Sequence, residues 1–267
     1  GLSVKWATFN VGAAKPEEYG DYFAWGEVEP KEIYNWSTYK YCNGSETTLT
    51  KYNTDSSRGT VDNKTQLELS DDAARANWGG EWRTPTDAEL TELRTQCTWT
   101  WTTQNGVNGY KVTSKSNGNS IFLPAAGCRL GSSLRDAGSF GYFWSSSLST
   151  VNAYRLGFSS SSVNWSNGNR YYGQSVRPVY GPQSEQTTAP TVETSAVTQI
   201  TETSAVVGGN VTSDGGASVT ERGVVYSTSA NPTTANSKVT SGNGTGSFTC
   251  NLTGLQPNTT YYVRAYA

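Results

Sequence analysis

The sequence predicts an α+β domain followed by an all-β antiparallel sandwich. Three observations predict it. All nine Trp lie within residues 1–180, and none follows. Two helix starts with N-capping chemistry occur in the first part, and none in the second. The second part is a series of Val/Thr-rich runs separated by turn residues, the pattern of short antiparallel strands.

In the first part, Ser70 is placed to cap a helix over 71–78. Asp71 and Asp72 then fall in its first turn, where the helix dipole favours negative charge. Thr86 and Glu89 have capping-box spacing and open a second helix over 86–97. Leu90, Leu93 and Cys97 share one face of it. KVTS (111–114) and SIFLPAAG (120–127) read as a strand pair joined by a KSNGN turn. The remainder reads as short strands and long loops.

A polar stretch with a proline near each end, 181–190, reads as a linker. The runs after it, 191–200, 204–212, 220–229, 246–255 and 259–267, read as strands. The turn signals between them are SDGG (213–216), ANP (230–232) and QPN (256–258). In the last run Tyr261, Val263 and Ala265 fall on one face.

Composition excludes several functions. A chain of 267 residues fits two domains. It is 16% charged and 12% aromatic, which argues against disorder. Its net charge of −2 gives no footprint for nucleic acid. No apolar run is long enough to span a membrane. Histidine is absent, which removes His-based triads, dyads and metal sites. Four cysteines, Cys42, Cys97, Cys128 and Cys250, have no CxxC spacing, so a zinc site is not expected and one disulfide is open. No cofactor or metal is expected. The carboxylates Glu27, Glu29, Asp71, Asp72 and Asp136 could form a glycosidase pair, but Asp71 and Asp72 read better as helix-start charges.

Recognisable motifs then occur in a fixed order: GLSVKWATFNVGA (1–13), YGDYFAWGE (19–27), LSDDAARANWGGEWRTPTDAEL (69–90), GYKVTSKSNGNSIFLPAAG (109–127), GYFWSSS (141–147) and GQSVRPV (173–179). This order resembles the C-type-lectin-like domains of Bacteroidetes surface proteins, including the Fibrobacter major paralogous domain. The broad fold is that of the formylglycine-generating enzyme. The resemblance covers about 1–180. It implies two helices on a small sheet and a long, irregular loop region held by Trp and Gly anchors. Strands at 144–147 and 175–179 would bracket an exposed segment. Residues 252–267 resemble the end of a fibronectin type III-like domain, with Leu255 closing a strand and Tyr261 near its tyrosine-corner position. That family has one more strand than 191–267 can supply, so a fragment, or a strand added by a partner, is expected.

Some of these lectin-like domains are similar to the variable proteins of diversity-generating retroelements. The segment matching their rewritten region is about 129–172. Residues 151–172 are rich in Ser, Tyr, Gly and Asn, the composition of antibody paratopes. The candidate contact residues are Leu130, Ser133, Arg135, Phe140, Phe143, Tyr154, Arg155, Asn164, Trp165, Asn169, Tyr171 and Tyr172. Trp144 reads as a buried anchor and Arg177 as a structural donor. The plain alternative is a Gly/Ser-rich connector whose aromatics cover a core.

The resulting expectation is an extracellular, adhesin-like binding protein, not an enzyme. Its partner would be a protein or glycan on a cell or phage-host surface. Its place would be the cell surface or a phage particle. The competing reading is a structural pilus or cell-envelope module of fixed sequence. The cysteine pair of the formylglycine-generating enzymes is missing, since only Cys128 lies near the matching region. No WND run accompanies the near-miss triplets EPK (29–31) and QPN, so calcium-dependent sugar binding lacks its motif.

Overall fold

The computed structural model describes residues 2–182, 189–215 and 218–267. The chain forms two compact units, residues 1–183 and 184–267. Most of the expected linker, and Gly216 of the SDGG turn, lie outside the described residues. Strands far outnumber helices, and every named strand pairing is antiparallel.

The first unit opens with β1 (Lys5–Trp6) and then runs irregularly to residue 68, broken by 3-10 turns at Trp36–Thr38 and Ser56–Arg58. Aromatic side chains hold this stretch. Phe23, Trp25, Tyr34 and Tyr52 are all buried in one cluster. Their polar tips satisfy the irregular backbone: Trp25 Nε1 donates to Ser145 O at 2.7 Å, and Tyr39 OH donates to Trp25 O at 3.0 Å. Buried aromatics thus replace a strand ladder as the source of order.

A further 3-10 turn, Leu69–Asp71, leads into α1 (Ala73–Trp78). Its cap is Asp72, not Ser70. The Asp72 carboxylate accepts from the backbone of Ala74 and Arg75, and also from Thr84 N at 2.8 Å and Thr84 Oγ1 at 2.9 Å. The cap therefore also ties α1 to the chain after β2 (Trp82–Arg83). The second helix, α2 (Asp87–Gln96), starts with the expected capping box of Thr86 and Glu89. Leu90 and Leu93 on its inner face are each 1% exposed, a burial worth about 2 kcal/mol apiece. Arg83 grips Glu89 with two bonds, 2.8 and 2.6 Å.

α2 is followed by β3 (Cys97–Gln104), β4 (Val107–Ser114) and β5 (Ser120–Pro124), in spatial order β3-β4-β5. Asn105 and Gly106 both have positive φ, 49° and 83°. That is the two-residue hairpin geometry that Asn-Gly adopts. A short hairpin, β6 (Cys128–Leu130) and β7 (Ser133–Arg135), precedes a third sheet of β8 (Phe140–Ser149), β9 (Asn152–Ser159) and β10 (Ser162–Gly168). Residues 129–172 are therefore mostly regular strand, not the long irregular loop expected. Of SVRPV only Val179 is in a strand, β11 (Val179–Tyr180), while Ser175 makes an isolated bridge to Phe143.

β11 lies between β1 and β2, so Lys5 faces Tyr180 and Tyr180 faces Trp82. Arg177 locks this closure. It is 1% exposed and donates to Asn10 Oδ1 (2.8 Å), to the carbonyls of Ala7 and Thr8 (3.2 Å each) and to Phe122 O (2.9 Å). It is the structural donor expected.

The second unit is two three-stranded sheets around one core. One is β12 (Thr191–Thr194), β13 (Ser204–Ser213) and β16 (Gly246–Thr253), in order β12-β13-β16. The other is β14 (Gly223–Ser227), β15 (Ser237–Thr240) and β17 (Tyr262–Tyr266), in order β15-β14-β17. Val207, Phe248 and Leu252 from the first sheet meet Val224 and Ala265 from the second. Leu255 lies two residues past the end of β16 and packs against this core. Gln256 N donates to Tyr261 OH at 3.2 Å. Strand β12 is shorter than the run 191–200 suggested, and β15 was not anticipated.

Candidate ligand-binding surface

Register decides what the third sheet of the first unit offers. Successive residues of a strand point to opposite faces, and residues opposite one another across antiparallel strands share a face. Phe143, Leu156 and Trp165 are partners across the three strands, as are Gly141, Phe158 and Val163. This row faces the core. Phe143, Leu156 and Phe158 are buried against Leu90 and Leu93 of α2 and against Tyr110.

The alternate row carries Phe140 beside Ser159 and Ser162, Tyr142 beside Gly157 and Asn164, and Trp144 beside Arg155 and Ser166. At one end it dips inward. Trp144 is 1% exposed and donates from Nε1 to Phe23 O at 2.8 Å, as an anchor should. At the other end it opens. Phe140 is 40% exposed, Asn164 is exposed and Tyr142 is half-buried. The rings of Phe140 and Tyr142 lie parallel within 3°, with centroids 6.1 Å apart. They form a stacked aromatic pair, its outer member exposed, with serine hydroxyls and an amide on the same row.

Arg155 stands on the central strand at the inward end of this row, opposite Trp144. Its Cζ is 4.4 Å from the centroid of the Tyr142 ring, and its Nε donates to Ser166 Oγ at 3.1 Å. No carboxylate forms an ion pair with it among the described residues. Burial draws its pKa below the ordinary arginine value, which a neighbouring anion would counter. A methyl group at Gly168 would lie 3.1 Å from Arg155 Nη1 and 3.1 Å from Gln174 Nε2, so the two side chains converge there. Gln174 is 0% exposed, and neither of its amide atoms has a partner. Tyr142 is raised above its ordinary pKa by burial, so its phenol stays neutral.

The expected contact residues divide accordingly. Arg155, Phe140 and Asn164 share the outer row. Ser133 and Arg135 are exposed on β7, and Leu130 is half-buried on β6. The hairpin is held beside residue 173 by paired bonds between Arg129 and Gly173, 2.7 and 3.0 Å. Asn169 begins a turn in which Tyr172 N donates to Asn169 O at 3.0 Å, and Tyr171 packs edge-on against Tyr172 and Trp36. Phe143 is not an outward residue: at 1% exposure it is core, because the strand's period of two sends it opposite to Tyr142. Tyr154 and Trp165 leave the outer row for the same reason. They stack on each other across the opposite face, centroids 5.2 Å apart.

Sequence reasoning passed over Tyr142, Ser166 and Gln174. Strict alternation through FGYFW would have found Tyr142. Gln174 had no local signal.

All four cysteines are free thiols. Burial pushes the Cys97, Cys128 and Cys250 thiols up, which leaves them protonated and inert as nucleophiles. Among the described residues no group of three Cys, Asp or Glu side chains is placed to hold a metal ion. Among them, too, no helix is long and apolar enough to cross a membrane.

No protein-family model matches this chain, and no curated protein matches it.

Proposed function

We propose that the chain is an extracellular, adhesin-like binding protein whose first unit is a C-type-lectin-like domain. One observation carries the reading: Phe140 lies open to solvent, stacked flat on Tyr142, with Asn164 and Arg155 beside them. Exposed aromatic surface rimmed by polar groups marks recognition sites. The Tyr, Ser and Asn mixture suits adaptable contact at low entropic cost. Two helices on small sheets, and end strands that pair with each other, support the lectin-like fold.

The second unit serves as a fibronectin type III-like spacer. Its three-on-three sheets support this, as does the bond from Gln256 N to the Tyr261 hydroxyl, the arrangement of a tyrosine corner. The ligand is a protein or glycan on a cell or phage-host surface, and the protein acts at a cell surface or on a phage particle. Within 129–172 the outer row and the β6–β7 hairpin form the surface that a diversity-generating retroelement would vary. The chain binds without catalysing. The buried carboxylate of Asp71 and the half-buried one of Glu89 are taken up in ion pairs with Lys51 and Arg83, which supports that reading.

The test is a triple variant of the whole chain, F140S/Y142S/N164A, beside the parent on a glycan array and on intact cells. Binding by the parent and loss in the variant, with unchanged melting, is the expected result. Equal binding by both removes the assignment.

A further inference from the structure

We propose, resting on the binding role above, that the outer row recognises a sugar carrying a carboxylate, such as a uronic or sialic acid, with Arg155 as the carboxylate receptor. Three observations bear on it. First, Arg155 is a half-buried cation with no anionic partner, and of its nitrogens only Nε makes a hydrogen bond among the described residues. The Nη edge is left with the two-pronged donor pattern that fits a carboxylate. Tyr142 covers one face of the guanidinium at 4.4 Å, which holds it in place and leaves that edge free.

Second, the wholly buried and unpartnered Gln174 amide packs beside Arg155 Nη1 over Gly168, where only a residue without a side chain lets the two come together. The amide is closed off from solvent and its oxygen accepts nothing from Arg155, so the guanidinium edge keeps its donors for a ligand.

Third, the surroundings suit a sugar ring better than a peptide. Phe140, 40% exposed and parallel to Tyr142, offers an apolar ring to the C–H groups of a pyranose. Ser159, Ser162 and Asn164 line the same row and offer hydroxyl and amide partners. No unpaired strand edge runs through the row's centre, since β9 is bonded on both sides, so an extended peptide gains no backbone ladder there.

The experiment is calorimetric titration of the whole chain with oligosaccharides ending in glucuronic acid or N-acetylneuraminic acid, each against its methyl ester, and with a poly-glutamate peptide. The acid is expected to bind about tenfold tighter than its ester, and Arg155→Lys to remove that preference, because lysine lacks the planar fork. The ester comparison needs no variant, so it stands even if Arg155→Lys folds poorly. Equal affinity for acid and ester overturns the proposal, and so does tighter binding of poly-glutamate than of either acidic sugar. If neutral glycans or proteins bind through Phe140, Tyr142 and Asn164 while Arg155→Lys changes nothing, only the carboxylate proposal fails. If no ligand of any class depends on that row, the binding role itself falls.

Discussion

A methyl group at Gly141 would sit 2.1 Å from Cζ of Phe158, because the Phe158 ring fills the place opposite it in the ladder. Gly141 is thus the gap that lets a core aromatic cross beneath β8. Its neighbours diverge from it, Phe140 and Tyr142 outward and Phe143 inward. Gly141→Ala is expected to displace the ring and destabilise the chain by about 2 kcal/mol. Chemical denaturation measures this, and a change within about 0.5 kcal/mol would show that Phe158 has room to move.

Two residues of the same sheet give opposite expectations. Leu156 is 1% exposed on the core row, so Leu156→Ala should cost about 2–5 kcal/mol. Asn164 stands exposed on the outer row, so Asn164→Ala should leave melting nearly unchanged. It should weaken binding to the strongest ligand from a glycan and cell screen. Melting curves and binding curves on both variants check the assignment of faces, and a reversed pattern would refute it.

Stability should fall in acid. Burial alone would raise the Glu89 carboxyl, but the Arg83 fork and the Thr86 N–H outweigh it and hold it below the usual carboxylate range. Asp71 is likewise held low, its burial outweighed by bonds from Lys51 and Tyr52. In the unfolded chain both groups take up protons near pH 4, and in the folded chain only at lower pH. The unfolded state therefore binds more protons in that window. The stabilisation is present above about pH 4 and is lost as pH falls through the folded values. Melting temperatures between about pH 6 and pH 3 should drop, and Glu89→Gln should flatten part of the drop. An identical slope in the variant would exclude Glu89 as a contributor.

Arg177 supplies the donors for four oxygens on two separate segments, 7–10 and Phe122, and three of these bonds are fully buried. Arg177→Met keeps most of the volume and strands those acceptors. The expected cost is about 3 kcal/mol or more, read as a lower urea midpoint with an unchanged slope. An unaltered midpoint would mean that water replaces the guanidinium.

Sequencing this locus across a source population checks the retroelement reading. Substitutions are expected at adenine positions within about 129–172. They should fall on outward positions such as Ser133, Arg135, Phe140 and Asn164, and spare Phe143, Trp144, Leu156 and Phe158. Changes spread evenly over both rows would contradict a surface selected for display.

What the sequence revealed follows the range of the interactions concerned. The Thr86–Glu89 box was legible because both partners lie within one turn. The start of α1 was misplaced because its cap is chosen by Thr84, twelve residues on, which bonds Asp72 and not Ser70. β15 escaped notice because its residues are nearly all exposed, so no apolar alternation marks it. Within 129–172 the residue types pointed to a surface. Facing was the missing step, and the alternation of Phe140, Tyr142 and Trp144 against Gly141 and Phe143 supplies it. Gln174 could not be found locally, since its place beside Arg155 depends on a bridge from Phe23 to Gln174 and a ladder from β9 to β10.

The pairing of Lys5 with Tyr180 gives the first unit an entrance and an exit side by side. Such a body can be spliced into a surface turn of an unrelated host without forcing the host chain apart. Its outer row, with any contact made through it, would travel along as one transplantable piece.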